Sequence, residues 1–208
     1  MKSGLKTAKN VVLLSLVLLL VCGILYPLLV TGIGQLFFPK QANGSLIKVD
    51  GKVVGSQLVG QDFKDDRFMK CRPSAVNYNT YTKEEKENGT YGGVGSGSQN
   101  LAPSNKKLIE RVEKDIENFL KKNPDVKKED IPTDLLTASG SGLDPHISPA
   151  SAKVQFPALI KSTGLSESQL NEIVSNNTKG KVLGIFGEET VNVLEVNLDI
   201  AKAIDMIH

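Results

Sequence analysis

VVLLSLVLLLVCGILYPLLV, residues Val11–Val30, decides the architecture. Its twenty residues carry no charge, and nearly all of them are Val, Leu or Ile. At about 1.5 Å of rise per residue, a helix of this length covers roughly 30 Å, the hydrocarbon thickness of a bilayer. No charge occurs between Lys9 and Lys40. Ser15, Cys22 and Tyr26 are the polar members, and Gly23 and Pro27 interrupt the apolar run; a membrane helix tolerates all five. No face shows the polar stripe of a soluble helix. A cleaved signal peptide is the competing reading, with Lys2, Lys6 and Lys9 as its charged start. A signal's apolar core runs about 7–15 residues and ends in an A-x-A-like site. This run is longer and no such site follows. The sequence therefore predicts a tail (1–10), a transmembrane helix (11–31), a membrane-interface linker (32–44) and one soluble domain (45–208).

Charge sets the orientation. Three lysines precede the span and none follows it until Lys40, which predicts a cytoplasmic N-terminus and an extracytoplasmic body in a single-pass plasma-membrane protein. Without the tail lysines the chain holds 22 basic and 23 acidic residues, so it offers no basic field for nucleic acid. The body is long enough for one core. Its two cysteines fall on opposite sides of the anchor boundary, Cys22 in the span and Cys71 outside, so no disulfide scaffold is expected. Cys71 would accept an impermeant thiol reagent if the body lies outside.

Local patterns predict an α+β body. Asp50-Gly51 joins Ser45–Val49 to Lys52–Val59 as a hairpin. Gln61–Tyr78 reads as irregular, with Arg72-Pro73-Ser74 at its centre; Arg72 can pair with an acid or face a partner. Asn77–Asn105 is rich in Asn, Gly and Ser and reads as a loop. Its glycines fit neither G-x-G-x-x-G nor a phosphate-binding loop. Leu108, Val112, Ile116 and Phe119 recur at helical spacing through Ser104–Asn123, with Ser104 or Asn105 as cap and Asn123-Pro124 as stop. A short helix is expected from Pro132 to Leu136. Ser148–Thr163 reads as two helices broken at Pro157, and Ser166–Ser175 as a helix opened by a capping box. Lys181–Phe186 and Val191–Leu198 read as extended, with a helix from Val191 as the alternative.

The densest polar cluster is TASGSGLDPHISP, Thr137–Pro149, which crowds Ser139, Ser141, Asp144, His146 and Ser148. A Ser/His/Asp triad needs the base between nucleophile and orienting acid in space, which neighbours in sequence rarely achieve, and no G-x-S-x-G elbow is present. A metal site would want more His or Cys. The favoured reading is a turn-rich structural loop in which Asp144 and the serines bond backbone amides.

Several stretches carry a resemblance: TGIGQLFFPKQANGSL (Thr31–Leu46), GSQLVGQDF (Gly55–Phe63), RPSAVNY (Arg72–Tyr78), TASGSGLDPHISPASA (Thr137–Ala152) and VNVLEVNLDIA (Val191–Ala201). In order and spacing the chain resembles the KdpC family, whose members belong to the Kdp potassium-transporting ATPases. Family-motif positions that become candidates for contact with other subunits are Gln35, Phe38, Pro39, Asn43, Arg72, Pro73, Ser74, Ser139, Ser141, Asp144, His146 and Asn192. The resemblance implies a non-catalytic accessory subunit of a bacterial K⁺-uptake pump. Its implied partners are a channel-like K⁺-binding subunit, a P-type ATPase subunit, a small membrane peptide and the lipid bilayer. It also implies a catalytic-chaperone role that raises ATP affinity, with Ser96, Gly97, Ser98, Gln99, Asn100 and Gln155 as nucleotide contacts. No phosphorylation motif stands in the chain, and one span cannot build an ion filter. No cofactor is therefore expected on this chain; ATP and K⁺ belong to the partners. A body outside the membrane cannot touch cytosolic ATP, so an effect on ATP affinity would be allosteric. Asp65, Asp66 and Asp144 permit a role in gathering K⁺. An anchored extracellular hydrolase using Ser141, Asp144 and His146, or a generic binding module, stands as the alternative.

Overall fold

A computed structural model describes residues 2–207 and separates the chain at Leu46 into two units. The first is almost entirely helical. Helix α1 (Lys2–Leu20) runs through one π-helical turn (Val21–Leu25) into α2 (Tyr26–Phe37). The stretch Gly4–Phe37 spans 34 residues, holds an 18-residue window with a mean hydropathy of 2.8, and is long and apolar enough to cross a membrane. The wide turn has a local cause. Pro27 has no N–H to donate, and its ring crowds the carbonyl one turn back, at Gly23; a π-turn relieves both. The helix continues through Phe37, well into the stretch expected as a linker, and stops at Phe38, whose φ of −135° is non-helical ahead of Pro39. A single turn, α3 (Pro39–Ala42), follows.

The second unit is α+β. Strands β1 (Leu46–Val49) and β2 (Lys52–Ser56) form the expected hairpin. Asp50 (φ 49°) and Gly51 (φ 75°) both take the left-handed conformation that a primed two-residue turn requires. Within the expected loop a short helix, α4 (Lys83–Glu87), forms under a capping box between Thr82 and Glu85. Helix α5 (Lys106–Lys122) starts at Asn105, whose side chain accepts the Lys107 N–H. Asn123 closes it.

A three-stranded antiparallel sheet organises the rest, in the order β3 (His146–Ile147), β5 (Thr190–Asn192), β4 (Thr178–Lys179). Pairing sets His146 opposite Asn192 and Thr178 opposite Val191. Helices α6 (Pro149–Lys153), α7 (Phe156–Thr163) and α8 (Glu167–Asn176) lie between β3 and β4 in the chain, and α9 (Val193–Ala203) follows β5. Core residues include Val191 and Ile147 from the sheet, Phe156 and Leu159 from α7, Leu170 and Val174 from α8, and Val193, Val196 and Ile200 from α9.

Three sequence expectations are corrected here. Val191–Leu198 is extended only to Asn192; the Asn192 side chain then accepts the Glu195 N–H and opens α9. Val193, Val196, Asn197 and Ile200 are all buried and fall at helical spacing, and burying that stripe outweighs the partial alternation. The break between α6 and α7 falls at Val154–Gln155, and Pro157 sits in the first turn of α7, where its missing N–H costs nothing. Lys181–Phe186 is no strand; one bridge joins Val182 to Phe186 around a tight turn.

Candidate functional site

The polar loop between the Thr133–Leu135 turn and α6 is tied to two distant segments by backbone groups and short side chains. The Gly142 carbonyl accepts the Ser74 hydroxyl (2.6 Å), and Gly60 N–H reaches the Leu143 carbonyl (2.8 Å). The Ser141 carbonyl takes both Gly97 N–H (2.8 Å) and the Ser96 hydroxyl (3.1 Å). Close approach explains two glycines. A Cβ at Gly60 would stand 2.6 Å from the Asp144 carbonyl oxygen, and one at Gly142 (φ 67°) would stand 2.8 Å from that of Gly97. The serines act on backbone: Ser139 Oγ accepts from Gly142 N–H, and Ser141 Oγ from Leu143 N–H.

Arg72 resolves to the acid-paired alternative. Its guanidinium meets Asp144 at 3.2 Å and donates to the Thr137 carbonyl at 3.3 Å. Pro73 lies between it and Ser74, whose hydroxyl also accepts the Val76 and Tyr78 amides. Asp144 accepts the His146 N–H, and its carboxylate lies 3.4 Å from His146 Nδ1. Burial disfavours the Asp144 charge; the His146 hydrogen bonds and the Arg72 charge outweigh it and hold the carboxyl below its ordinary range. Ser141, Asp144 and His146 thus share one loop, but among the described residues no serine hydroxyl bonds His146. Ser141 Oγ instead faces Ser139 Oγ at 3.3 Å.

Asn192 links this loop to the hairpin. It pairs with His146 across the sheet, donates to the Gln57 carbonyl (2.9 Å), and caps α9. Gln57 in turn donates to Glu195. In the first unit, Gln35 and Asn43 exchange amide hydrogen bonds (3.3 and 3.1 Å) across the bend at Phe38, and Asn43 also donates to the Pro39 carbonyl within the turn that follows. These four motif residues therefore fix the chain's exit from the long helix.

A cleft of about 730 Å³ opens beside the loop, with Arg72, Ser74, Tyr78, Phe119, Lys161 and Gln155 among its walls. The string Ser96–Asn100 does not line it. Ser98 Oγ accepts the Asn100 N–H, Asn100 takes a left-handed φ of 48°, and Gln99 is exposed. The structure therefore does not bring Ser96, Gly97, Ser98, Gln99 and Asn100 to Gln155. The Gln155 amide is already engaged: its oxygen accepts Lys70 N–H (2.8 Å) and its nitrogen donates to the Ser151 and Lys70 carbonyls.

Sequence reasoning missed the partner of that arrangement. Asn197, buried on α9, accepts Met69 N–H (2.7 Å) and donates to the Met69 carbonyl (2.9 Å). Two side-chain amides thus take the place of a neighbouring strand for Met69-Lys70. A polar residue at an apolar helix position was the readable sign. Asp134 was also missed; it receives the Ser148 N–H and the hydroxyls of Ser148 and Ser151, and so anchors the start of α6. Asp65 and Asp66 lie on an exposed turn with cations already attached, Arg67 on Asp65 and Lys122 on Asp66.

The sequence pattern of one family, described as "KdpC: K+-transporting ATPase, c chain", matches residues 8–202. The chain belongs to the KdpC family. Relatives bearing the name potassium-transporting ATPase KdpC subunit agree along nearly the full length. The Clostridium kluyveri protein is 65% identical over 208 residues, covering 100% of this chain and 99% of that relative. The Clostridioides difficile protein is 58% identical over 98% of this chain and 100% of its own length. A Bacillus cereus relative is 46% identical over 88% of this chain and 89% of its own.

Proposed function

We propose that this KdpC-family chain is a non-catalytic accessory subunit of an ATP-driven K⁺-uptake pump. Its long helix anchors it in the plasma membrane with the N-terminus cytoplasmic and the second unit outside. The family match from residue 8 to residue 202 carries the reading. The state of the polar motif residues supports it. Arg72, Ser74, Ser139, Ser141, Asp144 and Asn192 are spent on each other and on backbone groups, with Ser139 and Asn192 buried, so they hold the loop rigid rather than carry chemistry. The partners are the channel-like K⁺-binding subunit, the P-type ATPase subunit that hydrolyses ATP, and the small membrane peptide. A body outside the membrane meets no cytosolic nucleotide, so any rise in ATP affinity works through contacts that differ between states of the pump.

Deleting the chain from a strain that depends on this pump tests the reading. Growth at micromolar K⁺ is expected to fail and to return with the wild-type chain. It should return equally with His146→Ala, which an extracellular hydrolase could not survive. Growth at micromolar K⁺ without the chain would overturn the proposal.

A further inference from the structure

Between β4 and β5 the chain turns through Val182–Phe186. Val182, Leu183, Ile185 and Phe186 are 67%, 83%, 75% and 64% exposed. Among the described residues of the second unit, none covers them. Two features set this tip apart from a stray apolar loop. Its backbone is already satisfied internally: Val182 and Phe186 exchange N–H···O=C bonds at 2.8 and 2.9 Å, Ile185 N–H donates to Val182, and Gly184 N–H to Lys181. Sealing the tip away from water therefore strands few backbone donors. In addition Leu183 holds φ at 54°, a left-handed conformation suited to Gly or Asn and poor for a branched apolar side chain. The fold gains no burial from that leucine. Strain and exposure at one residue, with no return to the fold, mark a contact made with something else.

We propose that Val182–Phe186 is a docking knob that seats in an apolar recess on a larger protein subunit of the same complex. The inference rests on the accessory-subunit reading and adds the element that makes the contact. Charge favours protein over lipid. At the base of the knob Lys179 and Lys181 are balanced by Glu188 and Glu189, with Lys181 paired to Glu188, so the base carries no net positive charge of the kind that draws a segment to an anionic membrane surface. Area disfavours a second copy of the chain. A patch of a few hundred Å² falls well short of the roughly 1,200–2,000 Å² of a stable free dimer. It suffices as the centre of a contact between proteins already held side by side by membrane helices, where the local concentration is high.

The test uses the co-expressed full-length complex in mild detergent. Leu183→Asn removes the most exposed apolar side chain of the tip and relieves the left-handed strain, so the chain alone should melt at the same temperature or higher. Its retention with the large membrane subunits should fall at least tenfold against wild type. Equal retention of wild type and variant would overturn the knob and leave the accessory-subunit reading standing; a wild-type chain that does not co-purify would overturn both. Phe186→Trp gives a single-tryptophan reporter, since the chain has no Trp. In vesicles of phosphatidylethanolamine and phosphatidylglycerol holding this chain alone, its emission should be that of exposed tryptophan. A blue shift there would assign the tip to lipid or to a second copy and defeat the proposal.

Discussion

Asn197 and Gln155 show how a buried amide can do a strand's work. Each both donates to and accepts from the backbone at Met69-Lys70, and each is almost wholly buried. Asn197→Ala leaves a buried N–H and a buried carbonyl without partners. It should lower unfolding stability by about 2–4 kcal/mol, read as a shifted urea midpoint of the full-length chain. Asp144 gives a pH signature. Its carboxyl is depressed in the folded chain, so its contribution is present above the ordinary carboxylate range, near 3.9, and is lost as pH falls through the folded value below it. Asp144→Asn should flatten that acid limb of the stability profile. Cys71 runs the other way: burial pushes its thiol up to about 12. The unfolded thiol ionises near 8.5, so the folded state loses ground between that pH and about 12, and near neutral pH the native thiol resists alkylation. The impermeant-reagent experiment therefore needs an exposed substitute such as Glu117→Cys on α5. The sequence left Arg72 either paired with an acid or facing a partner, and it did not single out Asp144 as the acid. That partner lies 72 positions away and only the fold brings it near.

At the level of elements, structure was readable where the determinants are local. The Asp50-Gly51 turn, the α5 stripe and the Ser166/Gln169 box each lie within a few residues, and each forms as expected. Helix α4 has the same kind of box at Thr82 and Glu85 and was obscured by the glycines around it. The α9 boundary was not legible, because Asn192 serves strand and helix at once: it pairs with His146 and then caps the turn that follows. Asn192→Ala should cost about 1–2 kcal/mol through the lost cap, plus the bond to Gln57, seen as a lower melting temperature with an unchanged far-ultraviolet spectrum. Gly142→Ala should be worse, because it forces a Cβ into the Gly97 carbonyl at a left-handed position. Proteolysis should then appear first in the two segments which that contact joins.

The whole molecule is an apolar rod and an α+β unit whose polar motifs lock three sequence-distant segments together. The rod was legible from residues 11 to 30. Its extension to Phe37 was not, because Gly32, Gly34 and Gln35 dilute the apolar run, although glycine is common in membrane helices and need not end one. The candidate site was legible as a structural loop from its missing triad geometry, while the knob was misread as a strand because its apolar residues look the same when unpaired. In intact cells, the Glu117→Cys chain with Cys71→Ala should react with an impermeant maleimide before lysis. If this chain works only as part of a larger transporter, affinity purification of the tagged full-length chain from membranes in mild detergent should yield a stable complex with large membrane subunits and K⁺-stimulated ATP hydrolysis that the chain alone lacks. A chain that elutes alone, or that hydrolyses ATP alone, would show that it needs no such partners.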